Sequence, residues 1–325
     1  MTSVQIALAT YQGARFLPAQ LDSLFAQSYA DFSILIADDG STDGSRTIIA
    51  DYMARYPGRI RLLSFGDPAG SALGNFRRLA DHLDADYAMF CDQDDVWLPD
   101  KISRSLAAMR SAEACSAAAT PVLVHTDMIM ADAKLAPVRA SFWRATRMDP
   151  TRRRLREILV ENSTAGCTML ANRSLYQLAR PIPPQATMHD HWLALVAAAF
   201  GRIEYLDRGT LMFRRHDANS SDHPVWRTGF VVRRLIDVAR GRGSARDMER
   251  FAALTDQAAA FGRRYGGMLT QDQRAAVEIL ATLSATPRAL RVPRLLRHRL
   301  LKSDWRRNLL MFSVVWRGER SRSNP

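Results

Sequence analysis

The chain has 325 residues and 47% hydrophobic content, which is enough to bury a sizeable core and, by length, to form two domains. Its three cysteines are odd in number and far apart, which argues against a disulfide framework or a CxxC zinc site and favours a reducing compartment. The net charge of +12 indicates a polyanionic partner, either lipid headgroups or nucleic acid.

Short apolar runs alternate with helical periodicity through the first ninety residues. Strands are predicted at Val4 to Ala9, Ser33 to Ala37, Ile60 to Ser64 and Tyr87 to Cys91. The helical faces between them contain Leu17, Leu21, Leu24 and Phe25, then Ile48, Ile49, Tyr52 and Met53, then Phe76, Leu79 and Leu83. These β-α repeats predict an α/β fold with a doubly wound, mostly parallel sheet.

The pattern loosens after an apolar run at Val122 to Thr126. The segment Asp149 to Arg156 indicates an exposed basic connection or the start of a helix. Further elements are predicted as helices at Asn172 to Ala179 and about His191 to Phe200, and as strands at Ile203 to Leu206 and Thr210 to Phe213. From about Pro224 the composition is helical and basic, so we predict one domain over residues 1–223 and a basic helical extension over 224–325.

Three carboxylates, Asp92, Asp94 and Asp95, follow the predicted strand Tyr87 to Cys91 within the sequence FCDQDDVWLPDK. Strands of open α/β sheets end in crevices where ligands bind, and clustered carboxylates repel one another unless a cation or proton intervenes. Oxygen ligands of this kind suit Mg²⁺ or Mn²⁺. The alternative is an acidic turn that caps the helix following Pro99.

A second acidic turn, ADDGSTDGS, ends the strand Ser33 to Ala37. Asp38 and Asp39 close the strand, Gly40 permits a tight turn, and Ser41 or Thr42 can cap the next helix. A carboxylate here can accept a hydrogen bond from a nucleobase imide or a ribose hydroxyl. A plain strand-turn-helix connection is the alternative.

Six segments in order resemble the bacterial rhamnosyltransferase-like branch of family 2 glycosyltransferases with the GT-A fold. Their order makes chance agreement improbable, although each short motif alone is weak. The segments are Ile6 to Asp43, GSALGNF (Gly70 to Phe76), FCDQDDVWLPDK, NSTAGCTMLANRSL (Asn162 to Leu175), MHDHWLALVAAAFGRIEYLD (Met188 to Asp207) and FRRHDANSS (Phe213 to Ser221). The resemblance implies inverting transfer of a sugar, such as rhamnose, from a nucleoside diphosphate to a surface-polysaccharide or lipid-linked glycan acceptor.

The resemblance also implies roles for individual residues. Asp94 and His216 would hold Mg²⁺ or Mn²⁺, and Asp190 in HDHW would be the catalytic base. The residues it implies for the nucleotide sugar are Ala9, Thr10, Tyr11, Asp38, Asp39, Asn75 and Asp92. The residues alone favour a helix N-cap for Asp190 and a surface or hydrogen-bonded histidine for His216.

The basic C-terminal region contains two amphipathic segments. One interleaves Trp226, Phe230, Val231, Leu235 and Val238 with arginines, and the other is the apolar run Leu309 to Trp316. Such segments either pack as a helical hairpin with a solvated basic face or dock on an anionic inner leaflet. No apolar stretch reaches ~18 residues. We therefore expect a cytoplasmic protein in peripheral contact with the inner face of the cell membrane, with no nucleic-acid partner because no such motif is present.

Two other functions are compatible with parts of the sequence. A nucleotide-sugar-forming nucleotidyltransferase also combines a doubly wound sheet with a carboxylate-bound metal, but the glycine- and lysine-rich N-terminal loop expected for it is absent. A non-catalytic polyanion-binding protein on a retired transferase domain is the other, and the presence of Asp92, Asp94, Asp190 and His216 argues against it.

Overall fold

The computed structural model describes residues 3–216 and 245–317. Within these ranges nine strands form one sheet: β1 (Val4–Thr10), β2 (Phe32–Asp38), β3 (Ile60–Leu63), β4 (Tyr87–Asp92), β5 (Val96–Trp97), β6 (Val122–Ala131), β7 (Pro137–Arg139), β8 (Leu170–Asn172) and β9 (Arg202–Arg214). Their spatial order is β3-β2-β1-β4-β8-β6-β9-β5, and β7 pairs with the C-terminal end of β6.

Four parallel strands, β3, β2, β1 and β4, form one half of the sheet. Almost every residue of β1 is buried, as expected for a parallel strand that helices cover on both faces. The helices that alternate with these strands are α1 (Leu17–Phe25), α2 (Ser45–Arg55) and α3 (Ala72–Asp81), and α4 (Lys101–Ala114) follows β5. The predicted α/β fold with β-α repeats is confirmed in this half.

The other half of the sheet is mixed. The three-residue strand β8 lies antiparallel between β4 and β6, while β6 and β9 pair in parallel. The prediction of two separate strands at Ile203 to Leu206 and Thr210 to Phe213 is wrong, because β9 runs unbroken through both. Register shifts opposite Asp127 let the strand bend without ending.

Four further helices lie between β7 and β9 in the chain, and two of them begin close to the predicted positions. Asn172 is the N-cap of α7 and accepts a hydrogen bond from the Leu175 amide, so α7 starts one residue later than predicted. The helix predicted from about His191 begins at His189. The four are α5 (Phe142–Thr146), α6 (Leu155–Ile158), α7 (Arg173–Ala179) and α8 (His189–Phe200).

Internal contacts divide the chain into two compact units. The first comprises Met1–Arg144, Thr164–Pro184 and Met188–Asp222, and it contains the sheet. The second comprises Ala145–Ser163, Gln185–Thr187 and His223–Pro325. The boundary predicted at residue 224 lies outside the described residues and stays a prediction.

The second unit is helical in its described part, as the composition after Pro224 predicts. Its helices are α9 (Ala245–Tyr265), α10 (Gln271–Ala281), α11 (Arg288–Arg297) and α12 (Trp305–Arg317). An ion pair of 3.0 Å between Arg307 Nε and Glu161 Oε1 joins α12 to the segment Ala145–Ser163, and both side chains are almost fully buried. None of the helices in residues 3–216 and 245–317 combines the length and the apolar character that crossing a membrane requires.

Candidate active site

The carboxyl ends of β1, β2 and β4 lie side by side at one edge of the sheet. Thr10 is opposite Asp38, and Ala9 is opposite Asp92. Four predicted site residues therefore meet at the edge where parallel sheets bind ligands. The acidic turn that begins at Asp92 continues this edge toward β5.

Asp92 is half-buried in this crevice. Desolvation, followed by repulsion from Asp94 and Asp190, raises the pKa of Asp92 to about 7. Asp190, from the distant HDHW segment, is therefore close enough to Asp92 to repel its negative charge. Two of the predicted functional carboxylates are thus brought together.

Asp94 and His216 form a close pair. His216 Nε2 lies 2.8 Å from Asp94 Oδ2, with side chains that are 10% and 16% exposed. This is a hydrogen-bond distance, and adjacent ligands of an octahedral cation with bonds of ~2.1 Å lie about 3.0 Å apart, so the same oxygen–nitrogen pair is also close enough to share a divalent cation. The His216 ring packs against the Phe16 ring at an angle of 34°, with centroids 4.4 Å apart, which helps to hold the imidazole in place.

Asp95 is buried and links the acidic turn to the end of β9. Its Oδ1 accepts a hydrogen bond from the backbone amide of Arg214, and the Arg214 Nε donates to the Asp94 carbonyl oxygen at 2.8 Å. These contacts tie the end of β9, just before His216, to the acidic turn.

One further group could hold a metal among the described residues. Single ligand atoms of Asp92, Asp95 and Cys167 lie within 4.8 Å of one another. Burial, followed by repulsion from Asp95, raises the pKa of the Cys167 thiol well above its usual value. A protonated sulfur is a poor ligand for the hard cations that prefer oxygen, so the Asp94–His216 pair suits Mg²⁺ or Mn²⁺ better.

The side chains predicted to bind the nucleotide differ in how many hydrogen bonds they already make within the protein. Asp38 accepts hydrogen bonds from Thr10 Oγ1, from Ser41 and from Arg46 Nε. Burial alone would raise the pKa of Asp38, but these hydrogen bonds together outweigh it and lower the pKa. Asn75 donates to the Ala37 carbonyl oxygen at 2.8 Å. Both side chains therefore stabilise the backbone and side chains that form the crevice through hydrogen bonds within the protein.

Asp39 and Tyr11 are placed differently. Asp39 accepts hydrogen bonds from the backbone amides of Ala69 and Gly70, one on each carboxylate oxygen, which leaves each oxygen with acceptor capacity. Tyr11 is 57% exposed beside the crevice. Gln93, between Asp92 and Asp94, exchanges two hydrogen bonds of 2.8 Å with the Tyr11 backbone. This clamp joins the loop after β1 to the acidic turn.

Asp190 lies in the first turn of α8, whose N-cap position is occupied by Met188. Its Oδ2 accepts a hydrogen bond from the Gly166 amide at 2.9 Å, and its Oδ1 accepts one from the His191 amide. Burial raises the pKa of Asp190 to about 6, and these hydrogen bonds oppose that rise. Met188 rather than Asp190 occupies the N-cap position, but the Asp190 carboxylate does accept a hydrogen bond from a first-turn amide of α8, that of His191, in addition to the one from Gly166.

Four residues at this site were not recognised in the sequence: Gln93, Gly166, Cys167 and Arg214. Gln93 is a neutral residue between two acids, and Gly166 contributes only a backbone amide. Neither has a side-chain chemistry that a motif search would single out. The segments NSTAGCTMLANRSL and FRRHDANSS, which carry three of the four, were the available signal.

A sequence profile described as glycosyl transferase family 2 matches residues 5–178. The chain belongs to this family. The match covers β1 through most of α7 and so includes the acidic turn. The predicted family assignment is confirmed, and the fold is the GT-A type that the resemblance implied.

Two relatives show how far the sequence similarity extends. Over 102 residues, 30% of this chain, the glycosyltransferase is 39% identical to the dTDP-rhamnosyl transferase RfbG of Shigella flexneri. It is 26% identical over 224 residues, 67% of this chain, to an uncharacterized glycosyltransferase of Nostoc sp.. The chain spans 35% of the length of the first relative and 66% of the second.

Solved structures extend the fold similarity over nearly the whole chain. TarS 1-349 of S. aureus, crystallised in complex with UDP-GlcNAc, superimposes with a TM-score of 0.56 at 16% identity. The superposition covers 97% of this chain and 90% of TarS 1-349. At this identity the likeness concerns the fold.

Proposed function

We propose that this family 2 glycosyltransferase is a metal-dependent, inverting enzyme. It moves a sugar from a nucleoside diphosphate to a surface-polysaccharide or lipid-linked glycan. The observation that carries the proposal is the convergence of Asp92, the Asp94–His216 pair and Asp190 at one edge of the sheet. The relatives support it, since RfbG is described as a dTDP-rhamnosyl transferase and TarS was crystallised with UDP-GlcNAc.

The donor nucleotide is assigned to the crevice beside β1 and β2. Tyr11 offers an exposed aromatic face to the base, and Asp39 has oxygen lone pairs left for an imide or a ribose hydroxyl. Asp92, which is electrostatically repelled by Asp190, is assigned to the sugar or ribose. The residues Ala9, Thr10, Asp38 and Asn75 shape the crevice that these groups line.

A divalent cation, Mg²⁺ or Mn²⁺, is assigned to Asp94 and His216, and when bound it stabilises the negative charge that develops on the leaving diphosphate. Arg214 keeps the two ligands together. It lies two residues before His216 in the chain, and its guanidinium donates a hydrogen bond to the Asp94 carbonyl oxygen. Phe16 limits rotation of the His216 ring.

Asp190 is assigned as the general base. A base must accept the proton of the acceptor hydroxyl as the bond to the anomeric carbon forms, and it acts best when its pKa lies near the working pH. Burial has moved the pKa of Asp190 to about 6, toward that range. Attack assisted from the side opposite the leaving diphosphate produces inversion at the anomeric carbon.

The second unit is assigned to an anionic membrane surface at the cytoplasmic face. Helix α12 exposes Trp305, Leu309 and Trp316 at 62%, 40% and 54%, and their spacing places them on one helical face. The buried side of the same helix carries Met311 and Val315, so packing uses only part of its apolar run. We call the exposed residues Trp305, Leu309 and Trp316 the tryptophan face.

An arginine lies beside the tryptophan face, because the Arg306 guanidinium is 4.8 Å from the centroid of the Trp305 ring. Arg291 of α11 donates to the Val315 carbonyl oxygen of α12 at 3.1 Å, which fixes the two helices side by side. Arg288 and Arg297 of α11 are exposed. Exposed tryptophans with arginines beside them match the interfacial region of an anionic bilayer, where lipid-linked acceptors reside. The other amphipathic segment, which contains Trp226, lies outside the described residues.

A panel of nucleotide sugars with and without Mn²⁺ tests the proposed function. A donor that raises the melting temperature only with the cation identifies the ligand, because binding to the folded state alone stabilises it. Transfer to a glycan acceptor should release a nucleoside diphosphate, and NMR should show an inverted anomeric configuration. Release of pyrophosphate would instead identify a nucleotidyltransferase.

A further inference from the structure

The amide of Gly166 is a fixed hydrogen-bond donor to Asp190. Gly166 is buried at the start of a short turn, Gly166–Thr168, that leads directly into β8. Its own carbonyl oxygen accepts a hydrogen bond from the Met169 amide at 3.1 Å, and Thr168 donates to the Ala165 carbonyl oxygen. The turn is therefore held by its own hydrogen bonds and by the sheet, and the amide reaches Asp190 Oδ2 at 2.9 Å.

No side chain fits at position 166. A Cβ atom there would lie 2.6 Å from His189 Nε2 and 3.5 Å from Asp190 Cβ. The backbone of Gly166 lies outside the left-handed region, so the requirement for glycine comes from the neighbouring atoms and not from φ. The atoms that exclude a side chain belong mainly to His189.

The His189 ring cannot move aside easily. It stacks on Phe76 with centroids 3.9 Å apart and lies 4.8 Å from Phe90. Neither of its ring nitrogens has a hydrogen-bond partner among the residues that the structure describes. Burial lowers the pKa of His189 to about 3, so the ring is neutral and acts as a rigid wall.

We propose that Gly166 is a positioning residue for the transfer reaction, that its amide orients the Asp190 carboxylate toward the acceptor, and that the His189 ring is what requires glycine there. The proposal rests on the assignment of Asp190 as the base. The Cβ of an alanine at 166 would displace either the turn Gly166–Thr168 or the His189 ring. His189 lies directly before Asp190 in the chain. Either movement separates the amide from Oδ2.

The experiment compares Gly166→Ala, His189→Ala, Asp190→Asn and the double variant Gly166→Ala/His189→Ala, all in the full-length chain, and Gly166→Ala is also combined with Asp190→Asn. We expect Gly166→Ala to lower kcat about tenfold to a hundredfold while the KM for the donor stays within about twofold, because only the orientation of the base changes. Gly267→Ala is the control, since a Cβ at Gly267 meets nothing within 4 Å. It should keep the wild-type kcat.

Removal of the His189 ring should restore activity to the protein that carries Gly166→Ala. We expect Gly166→Ala/His189→Ala to have a kcat within about fivefold of that of His189→Ala alone. The effect of Gly166→Ala then depends on His189, as expected for two residues in direct contact. If Gly166→Ala does not fold, folding and activity of the double variant still support the proposal. An inactive or unfolded double variant beside an active His189→Ala would overturn it, as would a Gly166→Ala variant with wild-type kcat.

A third comparison separates the positioning role from a merely structural one. Addition of Gly166→Ala to Asp190→Asn should lower kcat no further, because a residue that acts through the base has nothing to act on once the base is gone. A further tenfold loss in that background would contradict the proposal. High activity of Asp190→Asn alone would instead refute the base assignment, so the two failures are distinguishable.

Discussion

Oδ2 of Asp94 lies 2.8 Å from Nε2 of His216, although 122 positions separate the two residues in the chain. One belongs to the turn after β4, and the other follows the end of β9, on the far side of β8 and β6 in the sheet. Arg214 and Asp95 make the connection through the backbone of both segments. The pair is therefore a product of the sheet topology.

The first prediction concerns this pair. Asp94→Ala and His216→Ala should each weaken metal-dependent donor binding by about 10²-fold or more, since loss of even an outer partner of a metal ligand costs ~10–100-fold. Calorimetric titration of the donor with and without Mn²⁺ measures the effect. Asp51→Ala, which removes an exposed carboxylate on α2, is the matched control. Full activity in excess chelator would refute the metal assignment.

The second prediction concerns the Gln93 clamp. Gln93→Ala removes both hydrogen bonds to the Tyr11 backbone, each worth ~1 kcal/mol, so the KM for the donor should rise about fivefold to thirtyfold with little change in kcat. Gln93→Glu keeps the acceptor for the Tyr11 amide and should show an intermediate KM. Equal KM values for all three proteins would show that the clamp does not position the donor loop.

The sequence was sufficient for most of the parallel half of the fold because β1, β2 and β4 are largely buried apolar runs. The location of the site could be predicted for a similar reason. The end of the strand Tyr87–Asp92 and the acids that follow it are adjacent in the sequence, and parallel strands bind ligands at their carboxyl ends. The mixed half could not be predicted in this way. Strand β8 has three residues, too few for a periodic signal, and its place between β4 and β6 depends on pairing with residues far away in the chain.

The contacts within the site were less predictable than its location. Asp38 and Asp39 are adjacent and look equivalent in the sequence, yet Asp38 is surrounded by Thr10, Ser41 and Arg46, whereas Asp39 holds the backbone at Ala69 and Gly70. That difference arises from a loop thirty residues later in the chain. The individual roles of the site residues remain predictions, and the variants described here test them.

The third prediction concerns the tryptophan face. Binding to vesicles with anionic lipid should fall steeply as salt rises, because arginine attraction of ~1 kcal/mol per residue is screened beyond ~10 Å at 0.1 M salt. Trp305→Ser combined with Trp316→Ser should reduce cosedimentation, whereas Val138→Ser, at an exposed apolar position of the first unit, should not. Equal binding to neutral and anionic vesicles would contradict the assignment.

The fourth prediction concerns Asp190 itself. Asp190→Asn keeps the size of the side chain and an oxygen for the Gly166 amide, but it cannot accept the acceptor's proton. We expect kcat to fall by ~10² to 10⁴ while donor affinity and melting temperature barely change. Asp207→Asn, at an exposed position of β9, is the control. Activity lost only in proportion to unfolding would show that Asp190 is structural.

The last prediction is a pH dependence that follows from the same carboxyl group. Since the pKa of Asp190 is about 6, kcat should be constant above that pH and should fall about tenfold per unit below it, as the base becomes protonated. Stability should change in the opposite direction. A carboxyl group whose pKa is higher in the folded than in the unfolded protein stabilises the fold at low pH and loses that contribution as the pH rises from ~4 through 6.

The two effects are measured on the same pair of proteins. Wild-type melting temperature should decline relative to that of Asp190→Asn between pH 4 and 7, because the variant has no charge to desolvate at this position. A constant difference in melting temperature across this range, together with a kcat profile lacking the limb near pH 6, would show that the buried carboxyl does not titrate there. In that case the proton acceptor must be sought among the other acids facing the crevice, with Asp92 first, because desolvation and its acidic neighbours raise its pKa to about 7.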